Sequence, residues 1–158
     1  MLPQRHRQRP QFHQFVKLRF VVQKHRATRL HYDFRLERNG AIHQLTVDQE
    51  HNWCPTALNN GRVLYLRWEY TDTPHSNSRM LFTMNPDGTS QAAFLGSGSY
   101  WPNSFFYARP VPNHPTKVVA VIGGHHDHPR MGELVVFDPQ QGRHEGEPAV
   151  QRIPGFGK

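Results

Sequence analysis

Short apolar runs, separated by dense turn signals, make up most of the chain after residue 19. The clearest run is RVLYLRW at residues 62–68, whose apolar side chains fall on both faces of an extended strand, so we expect this strand to be covered on both sides. The segment YDFRLE at residues 32–37 alternates strictly between apolar and polar positions. Asn39 and Gly40 then predict a hairpin turn to a strand at residues 42–46.

Other runs of the strand type lie at residues 20–23, 79–84, 104–109, 117–123 and 133–137. Clusters of Asn, Asp, Pro and Gly separate them, as expected for turns. No stretch has a convincing helical period of apolar residues, and the twelve Gly and thirteen Pro would interrupt most helices. The pattern therefore predicts an all-β protein built as an antiparallel β-meander.

The pattern also repeats along the body of the chain. RVLYLRW is echoed by KVVAVIG at residues 117–123, and the residues around Trp53 are echoed by those around Trp101. LFTMNPDG and LVVFDPQQG form a second echo, in which Gly88 and Gly142 stand 54 residues apart. A repeat of this length with about four strands is typical of β-propeller blades. We therefore predict about two blades, preceded by the closing hairpin of another at residues 38–46.

Charge divides the chain into segments. The net charge is +7, yet residues 1–40 hold ten Lys or Arg and only two acids, so the remainder is almost neutral. We interpret residues 1–14 as a basic disordered arm, 15–40 as a second segment and 41–158 as the repeated β region. A basic front is typical of weak nucleic-acid binding, which we expect through residues 1–40. The alternative for residues 1–14 is a solvated terminus without a partner.

Several classes of protein are disfavoured by composition. The lone Cys54 allows no internal disulfide and no Cys-x-x-Cys-His motif, so we expect no covalent haem. The longest apolar run, residues 118–122, is too short to span a bilayer, and we expect no membrane partner. No apolar signal region is seen near the start, so we expect a cytoplasmic protein. Two unclosed blades would leave strand edges open, which predicts self-association through these edges.

The front segment carries the first group of candidate site residues. His31, Asp33 and Arg35 are spaced two apart and share the polar face of the predicted strand, and His25 can approach from the preceding loop. Two imidazoles and a carboxylate suit Mn²⁺ or Zn²⁺, while an adjacent guanidinium suits a phosphate oxygen. The alternative is a polar, solvated face of a sheet.

A second polar cluster follows the predicted strand at residues 117–123. It contains His125, His126, Asp127 and His128, which alternate between the two faces of an extended backbone. These residue types allow a metal site, and a solvated or hydrogen-bonded loop is the alternative.

QKHRATRLHYDFRLERNG, residues 23–40, resembles the signature of the 3′-phosphoesterase domain of bacterial DNA ligase D. The resemblance implies a Mn²⁺-dependent enzyme that removes 3′-phosphates from DNA ends during repair. It implies His25, His31 and Asp33 as metal ligands, and His31 and Arg35 as catalytic residues. The family's later His and Tyr have no counterpart that we find after Gly40.

Residues 41–158 resemble the middle region of the hydrazine synthase alpha subunit and its propeller-bearing relatives. The resemblance rests on NWCPTALNNGRVLYLRWEYTDTPH, LFTMNPDGT, YWPNSFFYARPVPNHPTKVVAVIGGHH and PRMGELVVFDP. It implies a β-propeller fold, whereas hydrazine synthesis does not carry over because the haem motif is missing. Our hypothesis is a non-catalytic β-propeller fragment that acts as an interaction module. The alternative is a Mn²⁺-dependent 3′-phosphoesterase.

Overall fold

The computed structural model describes residues 19–24, 31–48, 51–68, 79–96, 100–102, 104–123 and 132–153. These ranges hold eleven β-strands, one turn of 3-10 helix at Pro139–Gln141 and no α-helix, so the all-β prediction is confirmed. The strands are β1 (Arg19–Lys24), β2 (His31–Leu36), β3 (Ile42–Gln44), β4 (Asn52–Ala57), β5 (Val63–Trp68), β6 (Arg79–Met84), β7 (Ala92–Leu95), β8 (Ser104–Pro110), β9 (Val118–Gly123), β10 (Glu133–Phe137) and β11 (Ala149–Ile153).

The strands form three antiparallel units. We call β1–β3 the N-terminal sheet, β4–β7 the first meander and β8–β11 the second meander, because sequential strands within each unit are hydrogen-bonded neighbours. In the described part of the chain, one parallel pair joins the two meanders, between Arg79 of β6 and Ser104 of β8. The antiparallel meander prediction is therefore confirmed, while the described strands do not close into a ring.

Strand β5 is covered on both faces, as its sequence predicts. Leu64 and Leu66 point into a core between the two meanders, and Val63 and Tyr65 point into a core next to the N-terminal sheet. The first core also contains Leu81, Phe105, Val118, Ala120, Val135 and Phe137. The second also contains Leu45, Met80, Phe82 and Met84. The first core thus lies between the two meanders, which pack face to face, and the second core joins the first meander to Leu45, which directly follows β3.

The two meanders share an irregularity in their first strands. The register of β4 against β5 shifts between Trp53 and Thr56, and that of β8 against β9 shifts between Phe106 and Arg109. Each shift contains one non-glycine residue with positive φ, Cys54 at 54° and Tyr107 at 53°. Such bulges bend a strand at a defined place. The same bulge in both first strands supports a true structural repeat.

The connection after the third strand also agrees between the meanders. Asn85 and Asp138 directly follow β6 and β10, and a proline follows each of them. The backbone N–H of Asn85 donates to the carbonyl of Thr89 at 2.8 Å, and that of Asp138 donates to the carbonyl of Pro148 at 2.7 Å. The strand and the proline-containing start of the turn therefore agree with the predicted echo of LFTMNPDG in LVVFDPQQG, whereas the loop that the bond closes is longer after β10.

The predicted echo of Trp53 in Trp101 is wrong. The matching bulges place Trp53 of β4 opposite Phe106 of β8 in the repeat, whereas Trp101 precedes β8 and is followed by a cis peptide bond to Pro102. Its ring lies 6.0 Å from the ring of Phe137. Sequence similarity around the two Trp-Pro-containing segments therefore reflects composition, and the strand register decides which residues are equivalent.

The last strand of each meander is missing from the sequence prediction. In β7, the first two residues are exposed, and in β11, all but Ala149 are exposed. Apolar and polar residues do not alternate in AAFL of β7 or in AVQRI of β11, so neither segment gives the two-residue period of a strand. By contrast, the bounds of β6 and β10 agree with the predicted runs, because their side chains fill the cores.

Several expectations fall outside the described residues. They concern the basic arm at residues 1–14, His25, and the cluster of His125, His126 and His128. The predicted boundary after residue 40 falls in the turn between β2 and β3. Among the described residues, no helix combines the length and hydropathy that a membrane crossing needs.

Candidate functional site

Two histidines that are distant in sequence meet where the N-terminal sheet packs against β4. His31 begins β2, and His51 directly precedes β4. The backbone N–H of His31 donates to Nδ1 of His51 at 3.1 Å, and the two Nδ1 atoms lie 3.0 Å apart. Because Nδ1 of His51 accepts the backbone N–H, the proton between the two rings belongs to His31. In this tautomer, His31 keeps a lone pair on Nε2, which suits a metal ion.

Two tryptophans hold the His51 ring in place. Its centroid lies 5.0 Å from that of Trp53 and 5.5 Å from that of Trp68, with interplanar angles of 17° and 11°. The backbone N–H of Trp68 also donates to the carbonyl of His51 at 2.9 Å. Offset stacking and a backbone hydrogen bond together restrict the ring to one orientation. The His31–His51 pair is therefore fixed by the first meander as well as by the N-terminal sheet.

Asp33, two residues after His31, is completely buried. Its backbone N–H donates to Oγ1 of Thr46 at 3.0 Å, and its carbonyl accepts from the N–H of Leu45 at 2.8 Å. Neither carboxyl oxygen has a hydrogen-bond partner in the described part of the chain. Burial, and secondarily the nearby Asp48 carboxylate, raises the pKa of Asp33 to about 8. The alternative prediction of a solvated polar face is therefore wrong for Asp33.

A second set of polar groups lies beside Asp33. Asp48 forms an ion pair with Arg67 and accepts a hydrogen bond from Nδ2 of Asn52 at 2.9 Å. Asn52 is also fully buried, and its Oδ1 has no partner among the described residues. Burial raises the pKa of Tyr65, and the charges of Arg67, Asp48 and Asp33 all act on its hydroxyl. The five side chains therefore share one electrostatic environment.

This buried group contains acceptors that no donor among the described residues reaches. Both carboxyl oxygens of Asp33 and Oδ1 of Asn52 are buried without a donor in the described residues. An unpaired buried polar atom costs about 1–3 kcal/mol, and more if it carries charge. A proton on Asp33 removes the charge, and a cation would neutralise it. The arrangement therefore favours uptake of a positive species at Asp33.

Arg35 was predicted to hold a phosphate, but its guanidinium contacts other groups of the protein. Its Nε and Nη2 contact Oε1 of Glu37 at 2.7 and 2.5 Å, and its Nη1 donates to the carbonyl of Pro86 at 2.8 Å. These contacts fasten β2 to the turn that follows β6. To hold a phosphate, the guanidinium would have to exchange its Glu37 contacts for the ligand.

The predicted site residues that the structure describes thus each have a different neighbour. His31 meets His51, Asp33 lies near Asp48, and Arg35 pairs with Glu37. Within the described ranges, no group of three or more His, Cys, Asp or Glu side chains is close enough to hold a metal ion. The donor set implied for a metal is therefore incomplete in these ranges.

Sequence reasoning missed Asp48, Asn52 and Arg67 as members of the site. A signal was present for Arg67, because it shares a strand face with the apolar Val63 and Tyr65. A charged residue on an otherwise buried face needs a partner of opposite charge. No comparable signal marks Asp48 or Asn52, since both lie around a connection whose course only the fold defines.

We compared the chain with protein-family models, with curated proteins and with solved structures. None of the three comparisons gave a match. The two resemblances seen in the sequence therefore stay predictions, and the functional argument rests on the contacts of the chain itself.

Proposed function

We propose that the chain is a β-propeller segment that acts as a non-catalytic interaction module. In this proposal the N-terminal sheet and the two meanders are successive blades. Support comes from the two four-stranded units with equivalent bulges, and from the apolar core between the two meanders. Strand β4 contacts both β1 and β8, as expected when the first strands of blades lie side by side.

One observation carries the proposal: the same face is buried on the first meander and, among the described residues, partly exposed on the second. On the first meander, this face consists of the buried leucines Leu64, Leu66 and Leu81. The strand pairings make the following positions equivalent on the second meander: Val119, Val121 and Leu134. Leu134 is 41% exposed, and Ile153, its partner on β11, is 48% exposed.

A second copy of the chain is the partner that fits this open face. The first meander uses its equivalent face to bind another meander, so the open face suits a unit of the same kind. Binding of one end of the stack to the other end of a second copy is a heterologous contact, which closes a ring or extends a filament. Among the described strands, the exposed strand β11 at the same end pairs with β10 alone, so its other side adds an edge to this surface.

Light scattering tests the proposal. We expect the wild-type chain to associate in a concentration-dependent way, and Leu134→Lys to shift it towards the monomer, because a charge would be buried in the contact. Ala57→Lys is the matched control, since it places the same charge on an exposed end of β4. A dispersed wild-type monomer at high concentration would refute the proposal, and so would equal effects of the two variants.

A metal-dependent 3′-phosphoesterase is the second candidate. The buried, unpartnered carboxyl of Asp33 favours it, together with the Nε2 lone pair of His31. Against it stand the Glu37 contacts of Arg35 and the missing later His and Tyr of the resembled family. For this candidate we expect Mn²⁺ binding without useful turnover.

A further inference from the structure

A cavity of about 200 Å³ opens where three connections of the two meanders meet. These are the β4–β5 turn, the β8–β9 turn and the 3-10 turn after β10. Its apolar lining comes from Leu58, Phe94, Pro110 and Pro115. Pockets for drug-sized ligands are larger, at about 300–1,000 Å³, so this cavity suits a small molecule with a compact apolar part.

His114, in the wall of the cavity, has a fixed tautomer. Its Nδ1 accepts the backbone N–H groups of Thr116 at 3.3 Å and Lys117 at 3.1 Å. Its carbonyl accepts from Nδ2 of Asn59 at 2.6 Å, which ties the β8–β9 turn to the first meander. Because Nδ1 is an acceptor, the neutral ring carries its proton on Nε2. His114 therefore offers an N–H donor from a rigid turn.

Two cations also line the cavity, Lys117 and Arg143. Neither forms an ion pair with another described residue. Asp138, whose carboxylate lies within the electrostatic influence of Lys117, accepts hydrogen bonds from Oγ1 of Thr116 at 2.9 Å and from the N–H of Gln140 at 3.2 Å. Burial opposes ionisation of Asp138, but these bonds and the nearby positive charges outweigh it and lower its pKa. The Asp138 carboxylate thus has hydrogen-bond partners in Thr116 and Gln140. No ion pair with a described residue competes with a ligand for Lys117 or Arg143.

We propose that this cavity binds a small anion with a flat apolar body, such as an aryl phosphate or an aryl carboxylate. The apolar walls would take the ring, while Lys117, Arg143 and the His114 N–H would surround the anionic group. Charge-assisted hydrogen bonds are about twice as strong as neutral ones, so the anionic group would give most of the selectivity. This inference does not depend on the propeller proposal, because one chain forms the whole cavity.

The test is an NMR titration of the full chain with phenyl phosphate, benzoate, inorganic phosphate and phenol. We expect saturable shifts of the amide signals of residues 114–117 and 140–143 with the first two ligands, at dissociation constants of about 1 mM. Inorganic phosphate and phenol each lack one half of the recognised chemistry, so both should bind at least several-fold more weakly. Comparison of phenyl phosphate with benzoate then tells which anion the site prefers.

Variants make the test specific. Lys117→Gln and Arg143→Gln should each weaken phenyl phosphate binding by about tenfold, the usual effect of losing one hydrogen bond to a charged group. Arg38→Gln removes the same charge at an exposed position in the β2–β3 turn and should leave binding unchanged. Unchanged amide dispersion would show that each variant is folded. Non-saturable shifts, or equal weakening by all three variants, would overturn the proposal.

Discussion

Asp33→Asn should remove most of the pH dependence of stability near neutrality. In the folded chain, burial and then the charge of Asp48 raise the pKa of Asp33 from 3.8 to about 8. The folded state therefore binds more protons at Asp33 than the unfolded state does between these two values. By linkage, the free energy of unfolding falls as the pH rises through this window.

The size of the effect follows from the same shift. Each pKa unit corresponds to 1.36 kcal/mol, so at pH 7 the carboxyl of Asp33 destabilises the fold by roughly 4 kcal/mol relative to acidic conditions. Asn has nearly the same shape and no charge to desolvate, so the variant should avoid this loss. Its own amide stays without a partner, as the neutral carboxyl does.

Urea unfolding, followed by tryptophan fluorescence at several values from about pH 5 to about pH 8 in the presence of a chelator, measures this effect. We expect wild-type stability to decrease over this range and Asp33→Asn stability to stay nearly constant. Asp87→Asn is the control: Asp87 is exposed, and hydrogen bonds from Thr89 lower its pKa, so its contribution changes only under more acidic conditions. A wild-type curve that is flat with pH, or an unchanged slope in Asp33→Asn, would refute the reasoning.

Two further predictions concern Gly88, in the turn that packs against Leu45, and the binding of Mn²⁺. A Cβ at Gly88 would lie 2.8 Å from the carbonyl oxygen of Leu45 at φ +87°, whereas a Cβ at Gly61, at φ +83°, would meet nothing within 4 Å. Gly61→Ala should cost about 1–2 kcal/mol and Gly88→Ala about 3 kcal/mol by thermal unfolding, and equal losses would contradict the close contact. Mn²⁺ titration followed by electron paramagnetic resonance should show a site that is lost in His31→Ala and Asp33→Ala, while a DNA strand ending in 3′-phosphate stays largely unprocessed. Brisk Mn²⁺-dependent phosphate release, abolished by His31→Ala, would favour the enzyme over the interaction module.

The pattern of apolar and polar residues was sufficient to predict the strands whose side chains fill the cores. Alternation along residues 62–68 specified a strand with two apolar faces, and both faces of β5 are buried. Asn39 and Gly40 specified the β2–β3 hairpin, in which Gly40 has φ +86°. The repeated strand and turn after β6 and β10 was readable for the same reason, because a side chain's face and a turn's φ values are properties of a few adjacent residues.

The contacts of the candidate site could be found only from the tertiary structure. His31 and His51 are 20 residues apart in sequence, and their contact exists because the N-terminal sheet packs against the start of β4. Asp33 occupies a polar position of an alternating strand, which by pattern alone predicts exposure. It is buried because the first meander covers that side of β2 and brings Asp48 to it. Sequence determines which residues share a face of a strand, whereas the stacking of sheets determines what covers that face and so sets its charge and its chemistry.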